Sequence, residues 1–305
     1  MNNIVLNSSH VLSSNNSVYS YQFKKGAISF PKGSTVALGS AIIPYSNYNV
    51  SSYLGNNQLQ YSIPSSSGNI TVNLTLADGF YDVDAINLAL QASFKSNGFY
   101  FSNIATTGVS NPQYIWPIVL SSNYNKYGNV FTFQYIPISS GNVISQYGSN
   151  WSWNGTFSTS AQTGIITINN ALFGKLIGFS LQSTVQQSYG VVAPSISNSQ
   201  PYLVYSDTLL NSPATPPLLT NTNGFIFHCN LINNKLSMPS DILECMPITS
   251  KFGSNLNYTP NNLIDNLITE GQYTSINITI TDQNNNPIQL QDPNILIQLV
   301  IKIAN

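Results

Sequence analysis

The chain has 305 residues, only 6% of them charged, and a formal net charge of −1. Its nine basic residues are all lysines, so it lacks both the Lys/Arg stripe that nucleic-acid phosphates need and the arginine fork that grips carboxylates. With 42% hydrophobic and 11% aromatic residues it has the material for a packed interior, which argues against a disordered polar chain.

Residues 1–16 are polar and weakly patterned, and read as an arm or a loosely held first strand. They show neither the basic start nor the apolar run of a secretory signal, and no stretch approaches the roughly 20 apolar residues of a membrane helix. A reducing cytoplasm is therefore the expected place of assembly. Ser17–Phe23 alternates, Ile28–Phe30 precedes a turn at Pro31–Gly33, and Thr35–Tyr45 is a β-rich run. Gly39 inside that run marks a bulge or a close approach. Leu59–Ile63 and Ile70–Leu76 alternate strictly about a turn at Ser65–Gly68, which predicts a hairpin with one apolar and one polar face. From Asp82 the period changes. Val83, Ile86, Leu90 and Phe94 form a helical stripe, Asp82 is placed to cap it, and Asn97 and Gly98 end it. This is the one long helix expected.

Residues 99–162 are less regular. Ile115–Leu120, with Pro117 arguing for an edge, and Val130–Ile136 are strand candidates, and Trp151–Gly155 reads as an aromatic loop. Ile165–Ile168 is a strand, and Ala171–Phe179 a short helical turn with a glycine exit. Residues 183–200 and 211–223 are loops rich in Ser, Pro, Asn and Thr around a short strand at Tyr202–Tyr205, the second stiffened by Pro213, Pro216 and Pro217. The last stretch reads as four strands, Gly224–Asn233, Ile242–Ile248, Thr274–Asp282 and Asn294–Ile303. Many strands, long loops and one helix predict an all-β fold, a single jelly roll of two antiparallel Greek-key sheets. Residues 1–98 and 163–305 would be its two parts, with 99–162 an insertion between strands.

Catalytic chemistry finds little to stand on. Asp78, Asp82 and Asp84 are the nearest acidic cluster; a calcium site or catalytic pair is weighed against a helix cap plus a turn acid, and the cap is favoured. The turn at Asp282–Asn286 faintly resembles the start of an EF-hand loop, but the sixth position lacks glycine and Pro293 stands where the bidentate Glu belongs. His228 and Cys229 are strand neighbours that point to opposite faces, and no second His or Cys cluster completes a zinc site. Both are expected to pack structurally, and Cys229 and Cys245 to be buried free thiols. No nucleophile elbow, phosphate loop or dinucleotide fingerprint is present. The expectation is a non-enzyme with no catalytic residue, cofactor or metal. Trp151 and Trp153 remain as candidates for a surface interaction or for stacking on a sugar.

An ordered set of segments resembles one family. Gly79–Gln91 looks like a Gly-Tyr-Asp opening into an amphipathic helix, Leu172–Phe179 like a Leu-Gly-Phe block, and Phe225–Asn233 like a strand carrying a Cys. Ile276–Asp282, the Asn-rich turn, Ile288–Leu290 and Ile295–Ile303 look like a closing hairpin. In this order they resemble the penton, or minor capsid, proteins of virophages and Maverick/Polinton-type elements, with nothing matched over 99–162 and 183–223. The resemblance implies a jelly roll standing at the five-fold vertex of an icosahedral virion, as a homopentamer surrounded by double-jelly-roll major capsid proteins. It implies a virion location, assembly in the host cytoplasm and no catalytic residues. An asymmetric virion contact through the arm at 1–16 is a further expectation. The alternative is a carbohydrate-binding module on the same fold, such as a fibre head or lectin that engages a host surface glycan. A glycoside hydrolase is disfavoured by the scarcity of acids.

Overall fold

Two strand-rich units emerge in the computed structural model, which describes residues 2–14, 16–106, 112–123, 128–160, 162–179, 187–189, 202–205, 217–218 and 222–304. The first comprises Met1–Tyr48 and Thr222–Asn305, the second Asn49–Asn221.

Before the second unit the chain forms β1 (Asn2–Asn7), β2 (Val18–Gln22), β3 (Ile28–Phe30) and β4 (Thr35–Pro44). With strands numbered through the whole chain, the first unit resumes with β17 (Gly224–Cys229), β18 (Ile242–Pro247), β19 (Asn255–Tyr258) and β20 (Asn266–Leu267). It closes with β21 (Gly271–Tyr273), β22 (Ser275–Thr281) and β23 (Leu296–Lys302). One sheet has the order β1-β23-β4-β19, with β20 also pairing β4; the other has the order β18-β17-β22-β2. Every pairing in both is antiparallel. β3 and β21 form a separate ribbon.

Setting aside β3, β20 and β21, eight strands remain among the described residues, and they divide between the sheets as in a jelly roll. The first, third, sixth and eighth make one sheet and the second, fourth, fifth and seventh the other. The predicted fold class therefore holds for this unit. Alternation explains its core: β22 buries Ile276, Ile278 and Ile280, β23 buries Ile297, Leu299 and Ile301, and β17 buries Phe225 and Phe227. Tyr45, just past β4, meets Phe225 of the other sheet with ring centroids 6.5 Å apart.

Gly39 is the extra residue of a β-bulge. Gln298 faces Ser40 and Leu299 faces Leu38, so Gly39 has no partner in the register. The bulge reverses the parity of β4, so that Leu38 is buried before it and Ala41 and Ile43 after it. A Cβ on Gly39 would lie 3.0 Å from Val300 Cγ2 and 3.3 Å from Gln298 O, a close approach as well. The first residues are no loose arm. β1 pairs with β23 from Asn2↔Ile301 to Asn7↔Leu296, and Leu6 is fully buried.

The second unit lies between the third and fourth strands of the roll. The flanking ends of the roll meet there, where Asn47 Nδ2 donates to Thr222 Oγ1 at 3.1 Å. Its first elements are β5 (Gln58–Ser65), β6 (Gly68–Thr75), α1 (Val83–Ser96), β7 (Phe101–Asn103), β8 (Tyr114–Ile115), β9 (Ile118–Asn123) and β10 (Gly128–Phe133). β11 (Tyr135–Ile136), α2 (Ser140–Tyr147), β12 (Trp151–Trp153), β13 (Gln162–Thr163) and β14 (Ile165–Ile168) follow. α3 (Ala171–Ile177), β15 (Gln187–Tyr189) and β16 (Tyr202–Tyr205) complete it. The predicted hairpin is β5 with β6, in the sheet β15-β14-β5-β6; β16-β10-β9 and β12-β7-β8 are three-stranded sheets, and β11 pairs β13. Pro213 and Pro216 of the expected stiff loop lie outside the described residues.

One core unites these pieces. Leu59, Tyr61 and Ile63 of β5 share it with Ile86, Leu90 and Phe94 of α1, Phe131 and Phe133 of β10, and Phe173 and Leu176 of α3. The inserted unit thus runs over 49–221, where the sequence suggests 99–162. β5 and the helix bury their apolar faces in this core, and β6 packs Val72 and Leu74 against it half-buried, so none of them can be assigned to the roll by its own periodicity. α1 begins as expected: Asp82 accepts from the backbone N of Ala85 at 2.7 Å, and Val83, Ile86, Leu90 and Phe94 are buried. α2 is a helix that the sequence pattern does not announce. In α3, Asn170 caps by accepting from the backbone N of Leu172 and Phe173, and Gly178 leaves the helix at φ 80°. Gly174 is required for the same exit, because a Cβ there would lie 2.4 Å from Phe179 O. The Leu-Gly-Phe block is therefore a packing motif.

Candidate functional site

The acidic candidates are spent on the backbone. Asp78 accepts from Ser52 N at 2.7 Å and Ser52 Oγ at 2.9 Å, and Asp82 caps α1, with Asp84 in its first turn. Asp282 Oδ1 accepts from the backbone N of Asn284 and Asn286, and Asn285 takes φ 62°, an Asx-type turn. Among the described residues no three His, Cys, Asp or Glu side chains cluster as a metal site would require.

His228 and Cys229 are both buried and do not bond to each other. His228 Nδ1 lies 2.9 Å from Asp241 Oδ1 and Nε2 lies 2.9 Å from Thr281 Oγ1. The ring thereby ties β17 to the residue before β18 and to the end of β22. This line of Thr, His and Asp has the order of a hydrolase relay, but its hydroxyl faces no open site: Thr281 is 5% and His228 6% exposed. Cys229 is fully buried, and burial pushes its thiol up to about 12.

Cys245 corrects the expectation of a buried thiol, for it is exposed. A register shift in the β17–β18 pair places Phe227 opposite Glu244 and His228 opposite Ile242, leaving Leu243 extra. Past that bulge Met246 faces the core and Cys245 faces solvent. Its thiol is raised by partial burial and then by Glu244. In the native protein iodoacetamide is expected to label Cys245 alone, faster as the pH rises and the thiolate forms, and to reach Cys229 only after denaturation. Intact mass before and after unfolding reads this directly; two adducts on the native chain would contradict the burial of Cys229.

The tryptophans stand on β12 rather than in a loop. Trp153 is 7% exposed, packs on Phe101 at 4.6 Å between centroids, and donates from Nε1 to Thr156 O at 3.1 Å. Its indole lies over Gly155, where a Cβ would come within 2.6 Å of the ring. Stacking on a sugar needs a free ring face, and Trp153 has none to offer. Trp151 is half-buried beside Tyr147 at 6.0 Å. Both belong to the core of the second unit or its margin.

What the first unit does present is two unlike flanks. β1 and β2 are edge strands on one flank, β18 and β19 on the other. Near the first flank lies an apolar cleft of about 270 Å³, lined by Ile4, Tyr21, Phe23, Ile28, Phe30 and Ile301, with Ile303 and the lysines Lys24 and Lys25 also bordering it. Toward the other flank, the connection from β17 to β18 carries Leu236 and Met238, 97% and 98% exposed. That connection is shaped by its own bonds: Leu236 N donates to Asn234 Oδ1 at 3.0 Å, and Asn234 N to Ser240 O at 2.6 Å. Sequence patterning misses the cleft because its residues come from β1, β2, β3 and β23, which are distant in the chain. The loop has a local signal, apolar residues in a polar turn beside a proline.

The chain is similar to the crystal structure of the SeMet-labelled mavirus penton protein, with 13% identity, a TM-score of 0.41, and 100% of each chain covered. It is likewise similar to a chain of the 3.5 Å cryo-EM structure of the Sputnik virophage, with 12% identity, a TM-score of 0.39, and coverage of 99% of this chain and 98% of that one. No family model matches the chain, and no curated protein matches it.

Proposed function

We propose that the protein is a structural subunit of an icosahedral viral capsid and forms the homopentamer at its five-fold vertex. The observation that carries this is the architecture of the first unit, a jelly roll whose third-to-fourth connection holds an entire second unit and whose two flanks differ in shape. Unlike flanks suit head-to-tail association, which gives a ring where the rotation between copies closes. With 6% charged residues, few charges have to be desolvated where copies meet. The ordered segments that resemble pentons lie on elements in both units: Gly79–Gln91 leads into α1, Leu172–Phe179 is α3 with its exit, and the closing segments are β17, β22 and β23. In this reading the partners are further copies and the surrounding double-jelly-roll major capsid proteins, the location is the virion assembled in the host cytoplasm, and the role involves no catalysis.

Native mass spectrometry and negative-stain micrographs of the purified full chain test this. Pentamers and five-fold rings at high concentration are expected. A stable dimer at every concentration would defeat the pentameric vertex.

A further inference from the structure

The loop carrying Leu236 and Met238 and the apolar cleft are on the same unit, the jelly roll. Three relations between them follow from sheet order, register and exposure. First, they lie toward opposite flanks: the cleft takes Tyr21 and Phe23 from β2 and its end, while the loop joins β17 to the edge strand β18, and the sheet order is β18-β17-β22-β2. Second, they lie at the same end of the sandwich. Gln22 at the end of β2 pairs with Ser275 at the start of β22, and Asn230, just past β17, donates from Nδ2 to Ser275 O at 3.3 Å. In the other sheet Asn2 pairs with Ile301 at that end, where Ile4, Ile301 and Ile303 border the cleft. Third, the loop does not fill its own cleft, because Leu236 and Met238 are almost wholly exposed. Two large apolar side chains held in solvent by an ordered turn, with an apolar recess at the same height on the opposite flank, form a complementary pair.

We propose that the loop between β17 and β18 of one copy seats Leu236 and Met238 in the cleft of the next copy, against Phe23, Phe30, Ile301 and Ile303. This deepens the ring-forming reading above and rests on it. Because loop and cleft are at one height, the operation that relates neighbouring copies carries little translation along the strands, which favours a closed ring over a filament. Lys235 on the loop and Lys24 and Lys25 beside the cleft carry like charge and repel, so apolar burial and shape have to outweigh them, and added salt should strengthen the contact.

Cysteine trapping in the full chain tests the interlock. In a Cys245→Ser background, Met238→Cys and Ile303→Cys are introduced singly and together; both positions are exposed, so neither change opens the core. On oxidation, the double variant is expected to give a ladder of covalent oligomers. The two single variants mixed should give a covalent dimer and nothing larger, and each single variant alone should give no product. A single variant that links to itself reports a face-to-face contact and overturns the proposal, as does a double variant that forms no intermolecular bond. Leu236→Asn combined with Met238→Asn is expected to weaken association at least tenfold with an unchanged circular-dichroism spectrum; unchanged association overturns the interlock. Pentamers seen by native mass spectrometry without the trapped bond overturn the interlock and leave the vertex reading intact. A trapped ladder that closes at another number keeps the interlock and defeats the pentamer. A chain that stays monomeric and unlinked at the highest concentration reached also overturns the interlock, since the contact needs no partner but the chain itself.

Discussion

Replacing residues 49–221 by a short Gly/Ser linker is expected to leave a folded, soluble, strand-rich protein. The roll's flanking ends already meet, with Asn47 and Thr222 hydrogen-bonded at 3.1 Å, so a linker of a few residues spans the gap. All eight strands of the roll lie outside the excised segment, and so do the residues of its core: Phe225, Phe227 and the isoleucines of β22 and β23. Roughly 130 residues remain, a size at which single domains bury enough surface to fold alone. The excised protein should show a β-type circular-dichroism spectrum and one cooperative thermal transition. Removing only 99–162 should fare worse. That cut takes Phe101, Ile118, Leu120, Phe131 and Phe133 out of the second unit's core while leaving β5, β6, α1 and α3 with their apolar faces bare. If the larger excision gave an aggregated chain and the smaller one a cooperative fold, the division of the chain at 49 and 221 would be wrong.

The second large effect is confined to the inserted unit. Phe94→Ala is expected to destabilise it by about 3–5 kcal/mol, the usual range for emptying a buried phenylalanine site. Phe94 is fully buried, and its ring meets Tyr61 edge-on with centroids 4.6 Å apart. Tyr61 is tied in turn to α1 through Ser93 Oγ at 2.8 Å, so the pocket sits between helix and hairpin and has little freedom to collapse. Differential scanning calorimetry of the full chain should show the transition of the second unit falling, while the transition seen in the excised roll stays in place. Equal shifts of both would mean that the two units unfold as one cooperative body.

Much of the local structure is legible in the sequence because it depends on near neighbours. Alternation places β2, β4, β5, β6, β17, β18, β22 and β23, and the change to a helical period at Asp82 places α1 together with its cap. Gly39 reads as a bulge because a glycine inside a β-branched run has few other reasons to be there. Local patterning breaks down where distant residues intervene. β19 is only four residues long and carries no period of its own; it is a strand because it lies along β4, from Asn255↔Pro44 to Tyr258↔Ala41. Alternation carried unbroken through β18 would bury Cys245, and one extra residue at Leu243 turns it to solvent. The sequence around Trp153 suggests an exposed ring, but its partner Phe101 is about fifty residues earlier, beyond the reach of any local pattern.

The division between the two kinds of information is physical. Composition and period decide what each short segment can form, since they set which faces are apolar and where the backbone turns; from them follow the all-β class, the one long helix and the lack of charge for binding nucleic acid. They do not decide which apolar face meets which. The hairpin β5–β6 and helix α1 fit a jelly roll by pattern, yet β5 and α1 bury their faces with β10, β14 and α3 in the inserted unit, and β6 packs at its margin. The strand order that identifies the roll is likewise a matter of pairings across a long gap, β4 with β23 and β2 with β22. The cleft exists only once those pairings are made, because burial is a property of residues brought together from afar.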